Sequence, residues 1–99
     1  IVIHPKSSSD YFDVYQNYVI RSSNRNALVK YLRESGVEVL VSWPVPLNRQ
    51  AALNLGRFNL PVTERISSEV LSLPMYPELS DKEVQIVIDV IKDFFKRAK

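Results

Sequence analysis

The chain has 99 residues, 45% of them hydrophobic, and carries a formal net charge of +2 from 13 basic and 11 acidic side chains. This length allows one domain with a modest core, and the near balance of charge excludes the strong basic field typical of nucleic-acid binding. The absence of cysteine excludes a disulfide framework and a thiolate metal site, and it favours a cytoplasmic protein. No apolar run approaches the roughly 20 residues that span a bilayer.

Residues 1–13 are predicted to be a linker that leads into the domain. His4-Pro5 and a polar cluster at residues 6–10 are typical of loops. His4 is the only histidine, and a catalytic or zinc role needs partners that this composition does not supply. Because the chain begins with Ile1 rather than Met, we expect an expressed fragment of a longer protein, with a processed product as the alternative.

A strand, a helix and a second strand are predicted in succession after the linker. Residues 14–21 are rich in β-branched and aromatic side chains and alternate partly, which is typical of a strand. The helix has an apolar face formed by Leu28, Tyr31 and Leu32. Gly36 suits the left-handed position after its end, and residues 37–43 form the second strand. If the two strands lie parallel in one sheet, their connection is a right-handed crossover.

Residues 44–59 show little periodicity and contain two prolines and a glycine. We therefore expect a loop with one helical turn near residues 51–55, and loops of this length are often functional. The forked donors of Arg49 and Arg57 suit a phosphate, with simple solvation at the surface as the alternative.

A helix is predicted to pass directly into a short strand over residues 61–75. Val62, Ile66 and Val70 recur every four residues and define an apolar face. The opposite, polar face carries Glu64, Arg65, Ser67, Ser68 and Glu69. The prolines at positions 74 and 77 prevent the helix from continuing, so we expect a strand at residues 71–75.

The last helix is predicted to begin at a capping box, in which the side chains of Ser80 and Glu83 accept hydrogen bonds from each other's backbone amides. Its apolar stripe consists of Val84, Val87, Ile88, Ile91, Phe94 and Phe95. Ile86 and Val90 widen that stripe, which suggests burial on more than one side. Asp89 and Asp93 stand one turn apart, and the lysines beside them favour a solvated face. Together the elements predict a two-layer α/β domain with a small mixed sheet covered by helices.

Three stretches carry a family resemblance. Residues 64–84, ERISSEVLSLPMYPELSDKEV, resemble the C-terminal signature of the DegT, DnrJ and StrS family of pyridoxal-phosphate-dependent sugar aminotransferases, which read close to AERxxxExLSLPMYPELTxEQ. Residues 42–48, SWPVPLN, are similar to that family's HYPxPLH segment. Residues 15–21, followed by the helix that ends at Gly36, are also similar to the family.

The resemblance implies that residues 14–99 are the small C-terminal domain of an aspartate-aminotransferase-type (fold type I) enzyme whose large cofactor-binding domain is absent. The full-length enzyme would transfer an amino group from an amino acid, glutamate by analogy, to a keto group of a nucleotide-linked sugar. It would act in cell-surface polysaccharide or secondary-metabolite biosynthesis. The resemblance also implies a homodimer with pyridoxal 5′-phosphate bound mainly outside this fragment, and an inactive fragment.

No catalytic residue is assigned in this chain. All lysines lie in loops or on polar helical faces, where nothing would desolvate them as a Schiff-base lysine requires. Because the family's loop faces the active-site cleft, the resemblance places Ser42, Trp43 and Asn48 at the substrate, and it places Gln16 there as well. The family often has histidine at positions 16, 42 and 48, whereas these side chains cannot be charged. The alternative role of all four is packing and local hydrogen bonding.

Two other classes of protein fit a small α/β domain. One is a free-standing module that binds a ligand or a partner without catalysis. The other is an RNA-recognition fold, whose sheet needs aromatic platforms flanked by basic and glycine residues, and the strand VYQNYVIR has no glycine. The resemblance favours the transferase.

Overall fold

The computed structural model describes residues 8–98. His4 and most of the predicted linker lie outside the described residues. Within residues 8–98 the elements are, in chain order, β1 (Tyr18–Arg21), α1 (Arg25–Glu34), two single 3-10 turns (Leu47–Arg49 and Ala51–Leu53), α2 (Pro61–Glu69), β2 (Val70–Leu73) and α3 (Asp81–Arg97). The predicted α/β class is confirmed, and so is the helical turn within the loop after residue 44.

The sheet is built around β2. β1 pairs antiparallel with it, with Ile20 opposite Leu71. On the other edge, Leu40 and Ser72 exchange two backbone hydrogen bonds of 3.1 and 2.8 Å in an antiparallel bridge. Because successive residues of a strand direct their backbone groups to opposite edges, β2 lies between β1 and the segment that contains Leu40. The strand–helix–strand connection therefore joins two segments that run in the same direction and flank β2.

The strands are shorter than the sequence predicts. Residues 14–17 do not join β1, and Tyr15 has a φ of 45°, which interrupts an extended backbone. The segment 37–43 pairs only at Leu40. One other residue of β2 directs its backbone N–H and carbonyl toward this segment, and both groups already have hydrogen-bond partners. The N–H of that residue, Val70, donates to Ile66 in the last turn of α2, and its carbonyl accepts from Arg25 at 3.0 Å.

The core lies between the sheet and the helices α1 and α3. Its buried members are Ile20, Leu28, Val29, Leu32, Val37, Val39 and Leu71. The left-handed Gly36, with a φ of 81°, ends α1 as predicted. Its N–H donates to Arg33 at 3.0 Å, and the Val37 N–H donates to Leu32 at 2.9 Å. This is a Schellman motif, and its apolar contact places Leu32 and Val37 in the core.

The capping box at the start of α3 is confirmed. The Ser80 hydroxyl accepts from the Glu83 N–H at 3.2 Å, and the Glu83 carboxylate accepts from the Ser80 N–H at 2.8 Å. Half-buried residues of α3 pack on the core, namely Val87, Val90, Ile91, Phe94 and Phe95. Three residues of the predicted apolar surface are exposed, namely Val84 (39%), Ile86 (47%) and Ile88 (38%). Within the described residues, α3 is therefore covered on one side.

Asp93 corrects the prediction that the acidic residues of α3 form a merely solvated face. Its carboxylate accepts from the Tyr31 hydroxyl on α1 at 2.5 Å and from Arg97 at 2.9 Å. The bond from Tyr31 is the main cause that lowers the pKa of Asp93 below its usual value. The two helices are thus joined by a polar contact beside the rings of Tyr31 and Phe94, which pack at a tilt of 48° with their centroids 5.6 Å apart.

The inward face of α2 also differs from the prediction. Val62, assigned to the apolar face, is 59% exposed, whereas Ser67, assigned to the polar face, is 8% exposed. The reason is that the polar side of α2 faces the loop that follows Trp43, where Ser67 donates to the Trp43 carbonyl and Glu64 accepts from Asn48. The helix ends at Glu69 because Val70 is extended, with φ −81° and ψ 144°.

Candidate functional site

Two adjoining clefts open beside the sheet. The larger, of about 460 Å³, lies between the sheet, the segment after β2 and the first turns of α3. The smaller, of about 200 Å³, lies over the sheet face formed by Val19, Val70 and Ser72. Asn17 and Leu40 line both clefts. Val19 is 40% exposed and Leu40 58% exposed, so within residues 8–98 this sheet face has no helix covering it.

The structure brings three of the four predicted substrate residues to these clefts. Ser42 and Trp43 lie together in the smaller cleft, where the Trp43 side chain is 75% exposed. Gln16 lines the larger cleft. Asn48 lines neither of these two clefts and is 3% exposed. Gln16 lies before the first residue of β1, so its position is set by the irregular backbone around Tyr15 and not by a strand face.

Asn48 is buried at the far end of the loop. Its Nδ2 donates to the Phe58 carbonyl and to the Glu64 carboxylate, both at 3.1 Å. Its Oδ1 is buried and has no hydrogen-bond partner within residues 8–98. Both amide hydrogens are therefore in use, and the remaining capacity of Asn48 is that of an acceptor. Such a group suits a hydroxyl or an N–H donor, and it does not suit the oxygens of a phosphate dianion.

The loop between Trp43 and Arg49 is held by side chains of α2. The Ser67 hydroxyl donates to the Trp43 carbonyl at 2.6 Å. One turn earlier, the Glu64 carboxylate pairs with the Arg49 guanidinium and accepts from Asn48. The Arg49 guanidinium is the main cause that holds the pKa of Glu64 below its usual value, with Asn48 acting in the same direction against partial burial.

The two arginines considered for phosphate binding have partners within the chain. Arg49 pairs with Glu64. Arg57 lies over the Phe58 ring, with its guanidinium carbon 4.5 Å from the ring centroid, and donates to the Asn54 carbonyl at 3.4 Å. A phosphate would have to compete with these contacts.

Sequence reasoning missed three residues of this site. Asn17, which lines both clefts, was treated only as a strand residue. Glu64 and Ser67 were assigned only to the polar face of α2, opposite its apolar face. Their spacing of three residues was the available signal, because it places two hydrogen-bonding side chains on the same face of one helix.

The described residues do not form a pyridoxal-phosphate site by themselves, because they lack a suitable lysine. A Schiff-base lysine has to be desolvated, and the described lysines, Lys30, Lys82, Lys92 and Lys96, are all exposed. Residues 8–98 also contain no group of three or more histidine, aspartate or glutamate side chains placed to hold a metal ion. In the same range, no helix has the length and apolarity needed to cross a bilayer.

Comparison with known proteins identifies the family. A sequence model of the DegT/DnrJ/EryC1/StrS aminotransferase family matches residues 1–92. The chain is 35% identical over 99 residues to a pleiotropic regulatory protein of Geobacillus stearothermophilus, covering 97% of this chain and 27% of that protein. It is 36% identical over 74 residues to UDP-2-acetamido-2-deoxy-3-oxo-D-glucuronate aminotransferase of Pseudomonas aeruginosa, covering 75% of this chain and 21% of that enzyme.

The fold agrees with the sequence match. The crystal structure of a DegT DnrJ EryC1 StrS aminotransferase from Brucella abortus superposes with a TM-score of 0.82 and 32% identity, covering 94% of this chain and 26% of that one. The chain thus spans about a quarter of the length of the relatives it matches. A family match over almost the whole sequence, together with the shared fold, means that this chain belongs to the DegT/DnrJ/EryC1/StrS aminotransferase family.

Proposed function

We propose that residues 14–99 are the small C-terminal domain of a longer pyridoxal-phosphate-dependent transaminase. That enzyme moves an amino group from an amino acid, with glutamate as the donor, to a keto group of a nucleotide-linked sugar. The observation that carries the proposal is the family match over residues 1–92. It is supported by the 36% identity to an enzyme named for a UDP-linked 3-oxo sugar acid.

The domain contributes one wall of the substrate cleft. Trp43 offers an exposed indole face that can stack on a nucleotide base or pack on a sugar ring, and Ser42 beside it offers a hydroxyl. Gln16 adds an amide in the adjoining cleft. Asn48, which is buried, acts on the cleft indirectly, because its two donated bonds shape the loop.

The cofactor belongs to the remainder of the protein, because the described lysines are all exposed. When bound there, pyridoxal phosphate supplies the electron sink for amino-group transfer. The longer enzyme works as a cytoplasmic homodimer in cell-surface polysaccharide or secondary-metabolite biosynthesis, and the 99-residue chain alone is inactive.

The test uses the longer protein that carries this sequence. Purified protein is incubated with glutamate and a UDP- or dTDP-linked 3-keto sugar, and the amino sugar and 2-oxoglutarate are quantified by mass spectrometry. We expect equal amounts of both products. Borohydride should trap the cofactor on a lysine outside residues 8–98, and the 99-residue chain serves as the inactive control. A longer protein that holds the cofactor yet aminates none of these sugars would refute the proposed substrate class.

A colourless protein without turnover would refute the transaminase altogether. In that case, a ligand-dependent rise in the melting temperature of the 99-residue chain would support the free-standing binding module.

A further inference from the structure

The loop formed by residues 42–49, here called the substrate loop, has few backbone donors of its own. Pro44 and Pro46 have no N–H, so the loop cannot form a regular ladder with a neighbouring strand. Its turn is closed locally by the Arg49 N–H, which donates to the Pro46 carbonyl at 2.9 Å. Hydrogen bonds from residues outside the loop must therefore determine the positions of Ser42 and Trp43.

Ser67 supplies one such contact. Its side chain is buried, and its hydroxyl leaves α2 to donate to the Trp43 carbonyl at 2.6 Å. The adjacent Ser68 behaves differently, because it is exposed and its hydroxyl donates within the helix to Arg65 at 2.7 Å. The bond from Ser67 is thus a specific link between α2 and the first part of the substrate loop.

Glu64 supplies the second contact, at the other end of the loop. It lies three residues before Ser67, hence on the same face of α2, and its carboxylate pairs with Arg49 and accepts from Asn48. The same helix passes directly into β2, whose residues Val70 and Ser72 line the smaller cleft. One element therefore holds both ends of the loop and continues into the floor of the cleft.

We propose that Ser67 and Glu64 are positioning residues, which fix the substrate loop to the floor of the cleft and so set the place of Ser42 and Trp43. The effect on a nucleotide-sugar substrate rests on the proposed function. The attachment of the loop to α2 rests only on the contacts within this chain.

The first experiment measures substrate binding in the longer enzyme. Ser67→Ala removes one buried hydrogen bond and should raise the KM for the nucleotide sugar about threefold to tenfold, with kcat within about twofold of wild type. The reason is that the cleft wall binds the substrate and the transition state equally, and a loss of such binding raises KM without changing kcat. Ser67→Thr keeps the hydroxyl and should restore the KM. Ser68→Ala is the matched control and should equal wild type. Glu64→Ala should raise the KM in the same direction as Ser67→Ala.

The second experiment tests the attachment without any substrate. Trp43 is the only tryptophan of the 99-residue chain, so its fluorescence anisotropy decay reports motion of the substrate loop. Because the Trp43 side chain is exposed, wild type already has a fast component, and Ser67→Ala should increase its amplitude relative to wild type, Ser67→Thr and Ser68→Ala. Far-UV circular dichroism on each variant shows that the fold is retained.

The outcomes separate this inference from the proposed function. An active enzyme in which Ser67→Ala leaves the KM within twofold of wild type, or lowers only kcat, overturns the positioning role. Unchanged Trp43 anisotropy in Ser67→Ala overturns the attachment. An inactive wild-type enzyme refutes the proposed function and with it the substrate effect, while the anisotropy result still decides the attachment.

Discussion

Arg25 joins the start of α1 to the junction of α2 and β2, and its replacement by alanine should lower the free energy of unfolding by about 3 kcal/mol. The side chain is 8% exposed, its Nη1 donates to the Val70 carbonyl at 3.0 Å, and it approaches the Ser67 carbonyl at 3.4 Å. A hydrogen bond from a charged donor contributes about 1.5–3 kcal/mol. We assign about 2 kcal/mol to the shorter bond and about 1 kcal/mol to the buried stem, with the longer bond adding little.

A loss of this size is a large part of the roughly 5–15 kcal/mol expected for a whole domain. It should lower the melting temperature by about 12–24 °C. Urea unfolding followed by circular dichroism measures the change directly, without comparison at different temperatures. Arg25→Lys keeps the charge without the forked donors and should lose about half as much, roughly 1.5 kcal/mol.

Arg65→Ala provides the matched control, because Arg65 is an exposed arginine of α2 and should change stability by no more than about 0.5 kcal/mol. If Arg25→Ala costs no more than Arg65→Ala, the bonds to the end of α2 do not stabilise the fold and the reasoning is refuted.

Three further predictions concern the elements around the site. Gly36→Ala should cost about 1 kcal/mol in thermal melts, because φ is 81°, whereas Gly56→Ala, with equally open space, should be nearly neutral; equal effects would contradict the role assigned to backbone conformation. Ser80→Ala should cost about 1 kcal/mol in urea unfolding through loss of the capping box, and an unchanged midpoint would argue against it. The pKa of Asp93 is lower in the folded chain than in the unfolded chain, so its stabilisation is present above the unfolded value and is lost as pH falls through the folded value. Tyr31→Phe removes the hydrogen bond that is the main cause of the lowered pKa of Asp93, so the free energy of unfolding should fall less steeply as the pH is lowered. An identical dependence of unfolding on pH in the variant and in wild type would count against the contact.

Local sequence signals predicted the helices well. Ser80 and Glu83 satisfy each other's amides, and Gly36 ends α1, because caps depend on residues within one turn of each other. The proline at position 61 begins α2, as its fixed φ allows. Periodicity likewise placed Val87, Ile91, Phe94 and Phe95 on the packed face of α3, whereas Val84 and Ile88 of the predicted stripe are exposed.

The strands were predicted less well, because their length depends on partners that are distant in sequence. Residues 37–43 have the composition of a strand, yet only Leu40 pairs. The backbone of Val70 is occupied by Ile66 and Arg25, and Arg25 lies 45 residues away from Val70. No pattern within residues 37–43 contains that information.

The candidate site was predicted in part. The resemblance led to Ser42, Trp43 and Gln16, which do line clefts, whereas Asn48 lies buried behind them. Ser67 was assigned to the polar face of α2, and polar residues are usually exposed. Its burial follows from a contact with Trp43, 24 residues earlier.

The sequence by itself determined the family, the helices and their ends, because these depend on residue type and on short-range spacing. Only the tertiary structure decided the order of the sheet, the inward face of α2 and the position of the substrate loop. The physical reason is that a buried carbonyl or carboxylate must find a donor, and in this fold Arg25, Ser67 and Asn48 supply donors to groups that lie far from them along the chain.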